Sequence, residues 1–356
     1  MNKLMQTNSI VKQFIIYSLL FTVYSSQFTS LLYATEVTRS RIMMGTIVQI
    51  SVVDEDMAEE EVNKAIDKAF GAIEEIDRMM SNYKEDSEIS KANRLRANER
   101  MTLSRETFDV IQRAIGFSKL TSGAFDITVE PLLKLWGFYS TGVTHEPRHY
   151  EIKKALELVG YDKILLDKKE GTIGFAKEGV RVDLGGIAKG YAVDKAIEVL
   201  KNYGIRNALV KAGGDIFAMG MGPTSYGWRI GIQHPRKEGE YLTILELEDK
   251  AVATSGDYER YFIINNKRYS HIIDPGTGYP ESNIPASVTV ISQDSTTADA
   301  LATAIFVIGP EKGLKLTESI HEVEVMIVSE KRGTLIIDKS KGFDKYVKLD
   351  SSLHSE

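Results

Sequence analysis

Between residues 42 and 338 the chain is a succession of short strand-like runs, several joined by turns only a few polar residues long, such as KKEG, NNK and EKRG. Such turns predict antiparallel hairpins, because a parallel partner needs a crossover of roughly a dozen residues. The runs lie at 42–53, 163–167, 172–175, 180–183, 207–211, 228–233, 243–247, 261–264, 268–273, 286–291, 323–329 and 334–338. Helical periodicity occupies 58–80, 105–121, 149–159, 187–203, 295–308 and 311–320. Ser104 and Ser295 are candidate N-caps, and Gly160 and Gly204 stand where left-handed residues would end two helices. Strands and helices mix without strict alternation, and no linker or repeat interrupts them after Glu36. The expectation is an α+β fold with mixed, mostly antiparallel sheets and flanking helices, not a doubly wound parallel sheet.

The first 35 residues have a different character. Lys3 and Lys12 precede the apolar run FIIYSLLFTV, and a Ser/Thr-spotted stretch then leads to LLYAT. This order of charge, apolar core and small residue predicts an export signal ending near Ala34, or an uncleaved membrane anchor. Residues 36–345 then form the folded domain and 346–356 a polar tail. Export would place the domain in the periplasm or on the outer face of the cytoplasmic membrane.

The chain has no cysteine, which excludes disulfides, thiolate metal sites, a cysteine nucleophile and a lipid-modified N-terminal cysteine. Lys and Arg number 44 against 50 Asp and Glu, for a net charge of −6, so no basic field advertises nucleic acid. An anionic ligand must be held locally, by backbone amides, a lysine or a metal.

Three segments carry candidate chemistry. In RVDLGGIAKGYAVD, residues 181–194, two glycines link a strand-like run to an amphipathic helix. Free N–H groups and the macrodipole at that helix start favour an anion, and Lys189 adds a charge in the first turn. Asp183 is placed to accept from a ligand donor or to help hold a metal. The alternative is a plain strand-to-helix turn. The spacing is not that of a P-loop, since Ser or Thr does not follow the lysine. In TTADALATAIFVIG, residues 296–309, Asp299 and Thr303 stand one helical turn apart. A carboxylate and hydroxyl so spaced suit a hard cation such as Mg²⁺; the alternative is two polar residues facing solvent. In RYSHIIDPGTGYP, residues 268–280, His271 lies on a strand beside a sharp turn, either as a proton acceptor or as a structural residue. A third glycine for a dinucleotide fingerprint, a G-x-S-x-G elbow and an H-E-x-x-H pair are all absent from the sequence.

These segments occur in order with MGT (44–46), SNYKEDSEISKAN (81–93), GAFDITVEPLLKLWGF (123–138), ALVKAGGDIFAMG (208–220) and ATSGDYERYF (253–262). Together they resemble the ApbE family of FAD:protein FMN transferases, over roughly residues 38–338. The resemblance implies a T-fold-related architecture and an enzyme that uses FAD as substrate with Mg²⁺. It would transfer FMN to a Thr or Ser hydroxyl of a protein and release AMP. The implied acceptors are flavin-carrying subunits of membrane redox complexes; nucleic acid is not a partner, and the membrane is touched only through the N-terminal segment. FAD contacts are implied at Met44, Tyr83, Ala124, Phe125, Asp126, Asp183, Lys189 and Ile273, and metal ligands at Gly186 (through its carbonyl), Asp299 and Thr303. His271 is the implied base, with Asp299 and Lys189 completing the catalytic set. Other relatives hydrolyse FAD to FMN and AMP, so an FAD pyrophosphatase and a non-enzymatic flavin-binding protein are the alternatives. Many family members carry an anchoring cysteine after the signal, and this chain departs from them there.

Overall fold

The run 42–53 is not one strand. Met44 and Gly45 both have positive φ, 51° and 71°, and turn the chain back between Thr35–Met43 (β1) and Thr46–Asp54 (β2). Paired left-handed residues make the tight turn whose twist matches a hairpin. The computed structural model describes residues 35–54, 56–140, 143, 145–223, 227–280 and 285–348. The N-terminal segment before Thr35 and the end of the tail, 349–356, lie outside the described residues.

The hairpin opens an eight-stranded sheet continued by Ala208–Ala212 (β3), Asp215–Met219 (β4), Lys250–Gly256 (β5), Ser287–Ser292 (β6), Glu324–Lys331 (β7) and Thr334–Lys339 (β8). The strands lie side by side in chain order, and each neighbouring pair is antiparallel. The sheet is therefore a meander into which the helices and smaller sheets are inserted. Every strand pair among the described residues is antiparallel, so the sheets are antiparallel throughout and not mixed.

Period-2 alternation sends the two sides of each strand into different cores. Val48, Ile50, Val210, Val288, Val290, Val325 and Ile327 face the helices. Ile216, Ala218, Val252, Ile291 and Met326 face a three-stranded sheet that includes Trp228–Gln233 and Tyr241–Leu247. Val347 and Lys348 add the third strand of that small sheet. Ser287–Ser292 is buried along its whole length, as a strand covered on both faces must be.

Three of the helices that cover this face frame the site. Glu59–Met80 (α1) buries Val62, Ala65, Ile66, Ala69, Phe70, Ile73 and Ile76, one stripe at helical spacing, with Glu59 to Glu61 set favourably in its first turn. Ala188–Asn202 (α2) ends at Gly204, where φ is 85°. Gly160 does not end a helix; it precedes the short turn Tyr161–Lys163. Ser295–Ile308 (α3) is capped by Asp294, whose carboxylate accepts the Thr297 N–H at 2.9 Å, so Ser295 is the first helical residue and not the N-cap. Ser104 caps its helix as expected. Helices α2 and α3 approach closely at Gly190, where a Cβ would lie 2.2 Å from the Ser295 carbonyl oxygen.

A smaller core gathers Leu132, Trp136, Phe138, Ile152, Ile264, Tyr269 and Ile273. It supports a short hairpin, Tyr261–Ile264 with Lys267–Ser270, beside the open end of the helix pair.

Candidate active site

The first turn of α2 has no side chain of its own to cap it. Instead Asp299, from α3, accepts the Gly190 N–H at 3.1 Å. The anion expected at this helix start is thus supplied in part by the protein. Lys189, one residue earlier, extends between two buried carboxylates. Its Nζ lies 2.7 Å from Asp215 Oδ2 and 3.5 Å from Asp299 Oδ2. Burial alone would lower the Lys189 ammonium, but Asp215 and Asp299 more than reverse this and hold it charged above its usual range.

Burial pushes Asp299 up to about 7, with Asp215 adding repulsion and Lys189 opposing it. Two carboxylates face one lysine, whose ammonium sits closer to Asp215 than to Asp299. Glu259 looks into the same space; burial raises it to about 7, with Lys189 pulling down and Asp215 pushing up. The locality carries more acid than base.

Thr303 lies one turn beyond Asp299 on α3, its hydroxyl 3.5 Å from that of Ser255. Gly186 packs directly on it: a Cβ there would meet Thr303 Oγ1 at 3.2 Å and the Phe125 ring at 3.3 Å. The glycine leaves room for that approach. Residues 180–183 form no strand. Their backbone is held by side-chain amides instead, with Asn93 donating to the Val182 carbonyl at 2.8 Å and accepting its N–H at 2.7 Å. Asp183 receives the Tyr139 hydroxyl, Asn82 Nδ2 at 3.0 Å and the Gly185 N–H at 2.7 Å. It thereby fixes the start of the glycine loop.

His271 follows the second strand of the 261–270 hairpin, and its Nδ1 lies 3.2 Å from the Arg260 carbonyl. A carbonyl only accepts, so Nδ1 carries the hydrogen and Nε2 is left as a lone pair. Burial lowers the imidazole to about 4, with Lys189 and Arg260 adding to the effect, so it is neutral near pH 7. Arg260 also donates to the Tyr83 hydroxyl at 2.7 Å and to the Phe138 carbonyl. Tyr83 is 62% exposed at the rim, its ring 5.5 Å from that of Tyr139.

Lys189, Asp299, Glu259, Thr303, Gly186, Asp183, His271, Arg260 and Tyr83 open on one cleft of about 1000 Å³, with Asp215 buried beside Lys189. Every residue singled out from the sequence lines it: Met44, Tyr83, Ala124, Phe125, Asp126, Asp183, Gly186, Lys189, His271, Ile273, Asp299 and Thr303. They come from segments as far apart as 44 and 303, so the convergence is a property of the fold. Asp126 lines the cleft, but its carboxylate is already committed. It accepts the Thr128 N–H and hydroxyl at 2.8 and 2.6 Å and the Tyr161 N–H at 2.8 Å. Sequence reasoning did not single out Asp215, Glu259, Arg260, Tyr139 or Asn82. Asp215, Glu259 and Arg260 lie inside quoted motifs, AGGD and SGDYER, and a buried acid beside paired glycines was the signal available.

Among proteins of known sequence, the chain matches the ApbE family model over residues 44–327. It is 35% identical over 308 residues to an FAD:protein FMN transferase of Haemophilus influenzae, spanning 85% of this chain and 89% of that one. With the FAD:protein FMN transferase of Vibrio cholerae it shares 38% identity over 263 residues, 73% and 78% of the two chains. Among solved structures, the ApbE protein of Thermotoga maritima superposes with a TM-score of 0.79 at 37% identity, covering 88% of this chain and 100% of that one. The flavin transferase ApbE from Vibrio cholerae gives 0.78 at 32%, covering 88% and 99%.

Proposed function

This chain belongs to the ApbE family, and we propose that it transfers the FMN half of FAD to a Thr or Ser hydroxyl of an acceptor protein, releasing AMP. The observation that carries the reading is the meeting of His271, Lys189 and Asp299 in one cleft whose rim carries the exposed Tyr83 ring.

The residues fit Mg²⁺. Two buried acids, Asp215 and Asp299, face one lysine, and Thr303 stands one turn beyond Asp299 beside Gly186, where an added Cβ would meet its hydroxyl at 3.2 Å. Mg²⁺ takes one or two carboxylates and shares its remaining positions with phosphate oxygens and water, which the acids here allow. Asp299, Thr303 and the Gly186 carbonyl would hold it, and when bound it supplies charge neutralisation for the diphosphate and for the leaving phosphate.

The residues of the chain do the rest. Lys189 holds an anionic diphosphate in an otherwise acidic protein. Tyr83 and Phe125 give flat surface to the rings of FAD. His271 Nε2 takes the proton as the acceptor oxygen attacks the FMN phosphorus. The new O–P bond forms as the bridging P–O bond breaks, and AMP leaves with that oxygen. A serine or cysteine nucleophile of the enzyme is not required. The acceptors are extracytoplasmic flavin-carrying subunits of membrane redox complexes, and the chain itself is exported by its N-terminal segment.

The test mixes the protein with FAD, Mg²⁺ and a flavin-acceptor domain purified without its flavin. A fluorescent acceptor band on a denaturing gel is the expected result. AMP release without that band would show hydrolysis with water as acceptor, and neither product would leave flavin binding alone.

A further inference from the structure

The hairpin between Arg260 and His271 has two unlike faces. Phe262, Ile264 and Tyr269 point inward and are packed: Phe138 stacks on Phe262 at 4.5 Å between centroids and Trp136 on Tyr269 at 5.3 Å. A two-stranded hairpin is marginal alone, and this packing supplies the support it needs. Its turn, Asn265 and Asn266 with φ of 50° and 61°, is the tight kind that keeps the strands in register. The opposite face carries Tyr261, Ile263 and Arg268. Ile263 is 65% exposed and Tyr261 39%. Arg268 is held ready, its guanidinium 4.4 Å from the Tyr261 ring centroid and its Nη1 3.2 Å from Asp257 Oδ1.

A hairpin packed on its inner face does not need Ile263 and Tyr261 exposed on the outer one for its own stability. Those residue types, with Tyr and Arg foremost, are the ones that dominate protein–protein contacts. The face is also continuous with the site. His271 donates its backbone N–H to Arg260 at 3.0 Å, so the ladder runs directly from the hairpin into the base. Ile263 is three residues along the strand from Arg260, about 10 Å. Tyr261, Ile263 and Arg268 lie outside the cleft lining that Arg260 and His271 belong to, so a small acceptor held in the cleft would not reach them, whereas a protein delivering a hydroxyl to His271 extends beyond it.

We propose that the outer face of the 261–270 hairpin is the docking arm for the acceptor protein, a folded domain that presents an apolar patch beside its flavin-accepting hydroxyl. The proposal rests on the transfer reading above and names where the partner of that site is held. Arg268, at the edge of the patch, favours a neutral or acidic neighbour over a basic one.

The experiment compares wild type with the double variant Tyr261→Ser/Ile263→Ser, using FAD, Mg²⁺ and an apo flavin-acceptor domain as the probe. Both side chains are on the surface, so folding should be retained, and the melting temperature checks it. A second double variant, Ile42→Ser/Ile47→Ser, removes the other exposed apolar pair near the cleft, 87% and 62% exposed on the β1–β2 hairpin. The expected result for Tyr261→Ser/Ile263→Ser is a rise in KM for the acceptor of roughly ten-fold or more. FAD affinity, AMP release to water and the rate at saturating acceptor should stay as in wild type. An unchanged acceptor KM overturns the arm, as does a rise confined to the Ile42/Ile47 variant. A wild type that releases AMP yet never labels the domain sinks the transfer reading first, and the arm with it.

Discussion

Asp299 accepts the Gly190 N–H across the α2–α3 contact at 3.1 Å, so a carboxylate of one helix caps the first turn of another. This ties a candidate metal ligand to the fold and lets two substitutions separate its roles. Asp299→Asn keeps an acceptor for Gly190 and should melt near the wild-type temperature, while Mg²⁺-dependent turnover falls by about 10³-fold or more, the scale of several kcal/mol of charge stabilisation. Asp299→Ala should lose turnover equally and lose about 1–3 kcal/mol of stability as well, because the amide goes unpaired. AMP release across a Mg²⁺ titration and thermal melts of both variants check this. Full turnover in Asp299→Ala would remove the residue from the metal site.

Lys189 is the cation between Asp215 and Asp299, and its loss strands two buried acids. Breaking a fully buried pair costs about 3–5 kcal/mol, but the Lys189 side chain is 29% exposed, so about 1–3 kcal/mol is expected for Lys189→Met. Adding Asp215→Asn to Lys189→Met should recover part of that loss, since one of the two acids is then gone. A double-mutant cycle in melting free energy measures it. Strict additivity would mean that Lys189 and Asp215 touch without energetic coupling.

The imidazole of His271 is pressed down to about 4 by burial and by Lys189 and Arg260, from an ordinary 6.5. Nuclear magnetic resonance of its ring should therefore show no titration near pH 6.5. For stability, the unfolded chain binds a proton at this residue below 6.5 and the folded chain does not until about 4. The contribution of His271 is thus present above 6.5 and lost as pH falls through that window. Wild type should lose more stability than His271→Gln between pH 7 and 5. In turnover, His271→Ala should slow transfer about 10²–10⁴-fold with FAD affinity little changed. Equal losses in rate and affinity would make it a structural residue.

Much of this was legible because periodicity reports burial. The α1 stripe, the α3 boundaries at 295 and 308 and the 261–270 hairpin follow from apolar spacing and turn residues. What escaped was decided by long-range partners. The 42–53 run hid a reversal, since nothing local requires Met44 to take a left-handed φ. Residues 180–183 alternate like a strand, yet Asn82 and Asn93, 100 and 89 residues before Val182, satisfy that backbone instead. Strand Lys250–Gly256 is hidden because small residues dilute its pattern, and Asp215–Met219 because burial on both faces leaves no alternation to read. The candidate site shows the same division. Lys189, His271 and Asp299 lie in motifs with readable chemistry, whereas Asp215 and Glu259 gain meaning only once Lys189 is placed between them and Asp299.

Gly190 gives the sharpest test of how tightly the site depends on the helix pair. Alanine is ordinarily favoured over glycine inside a helix by about 1 kcal/mol. Here a Cβ would stand 2.2 Å from the Ser295 carbonyl oxygen, 2.6 Å from its carbon and 2.9 Å from Asp299 Cβ. Two of those atoms are backbone and cannot rotate away, so α2 and α3 must separate. Overpacking of this kind costs about 1–3 kcal/mol and more where backbone has to move, which outweighs the helix preference. Gly190→Ala should therefore lower the melting temperature despite adding a helix former. Separating the helices also lengthens the Gly190–Asp299 hydrogen bond, so the Mg²⁺ concentration needed for half-maximal turnover should rise. Gly186→Ala makes a different comparison, because its Cβ would meet only side chains, the Thr303 hydroxyl at 3.2 Å and the Phe125 ring at 3.3 Å. Those neighbours can shift, so it should melt closer to wild type while its Mg²⁺ dependence weakens through the displaced Thr303. A Gly190→Ala protein as stable as wild type, with unaltered Mg²⁺ dependence, would mean that the α2–α3 contact does not set the position of Asp299.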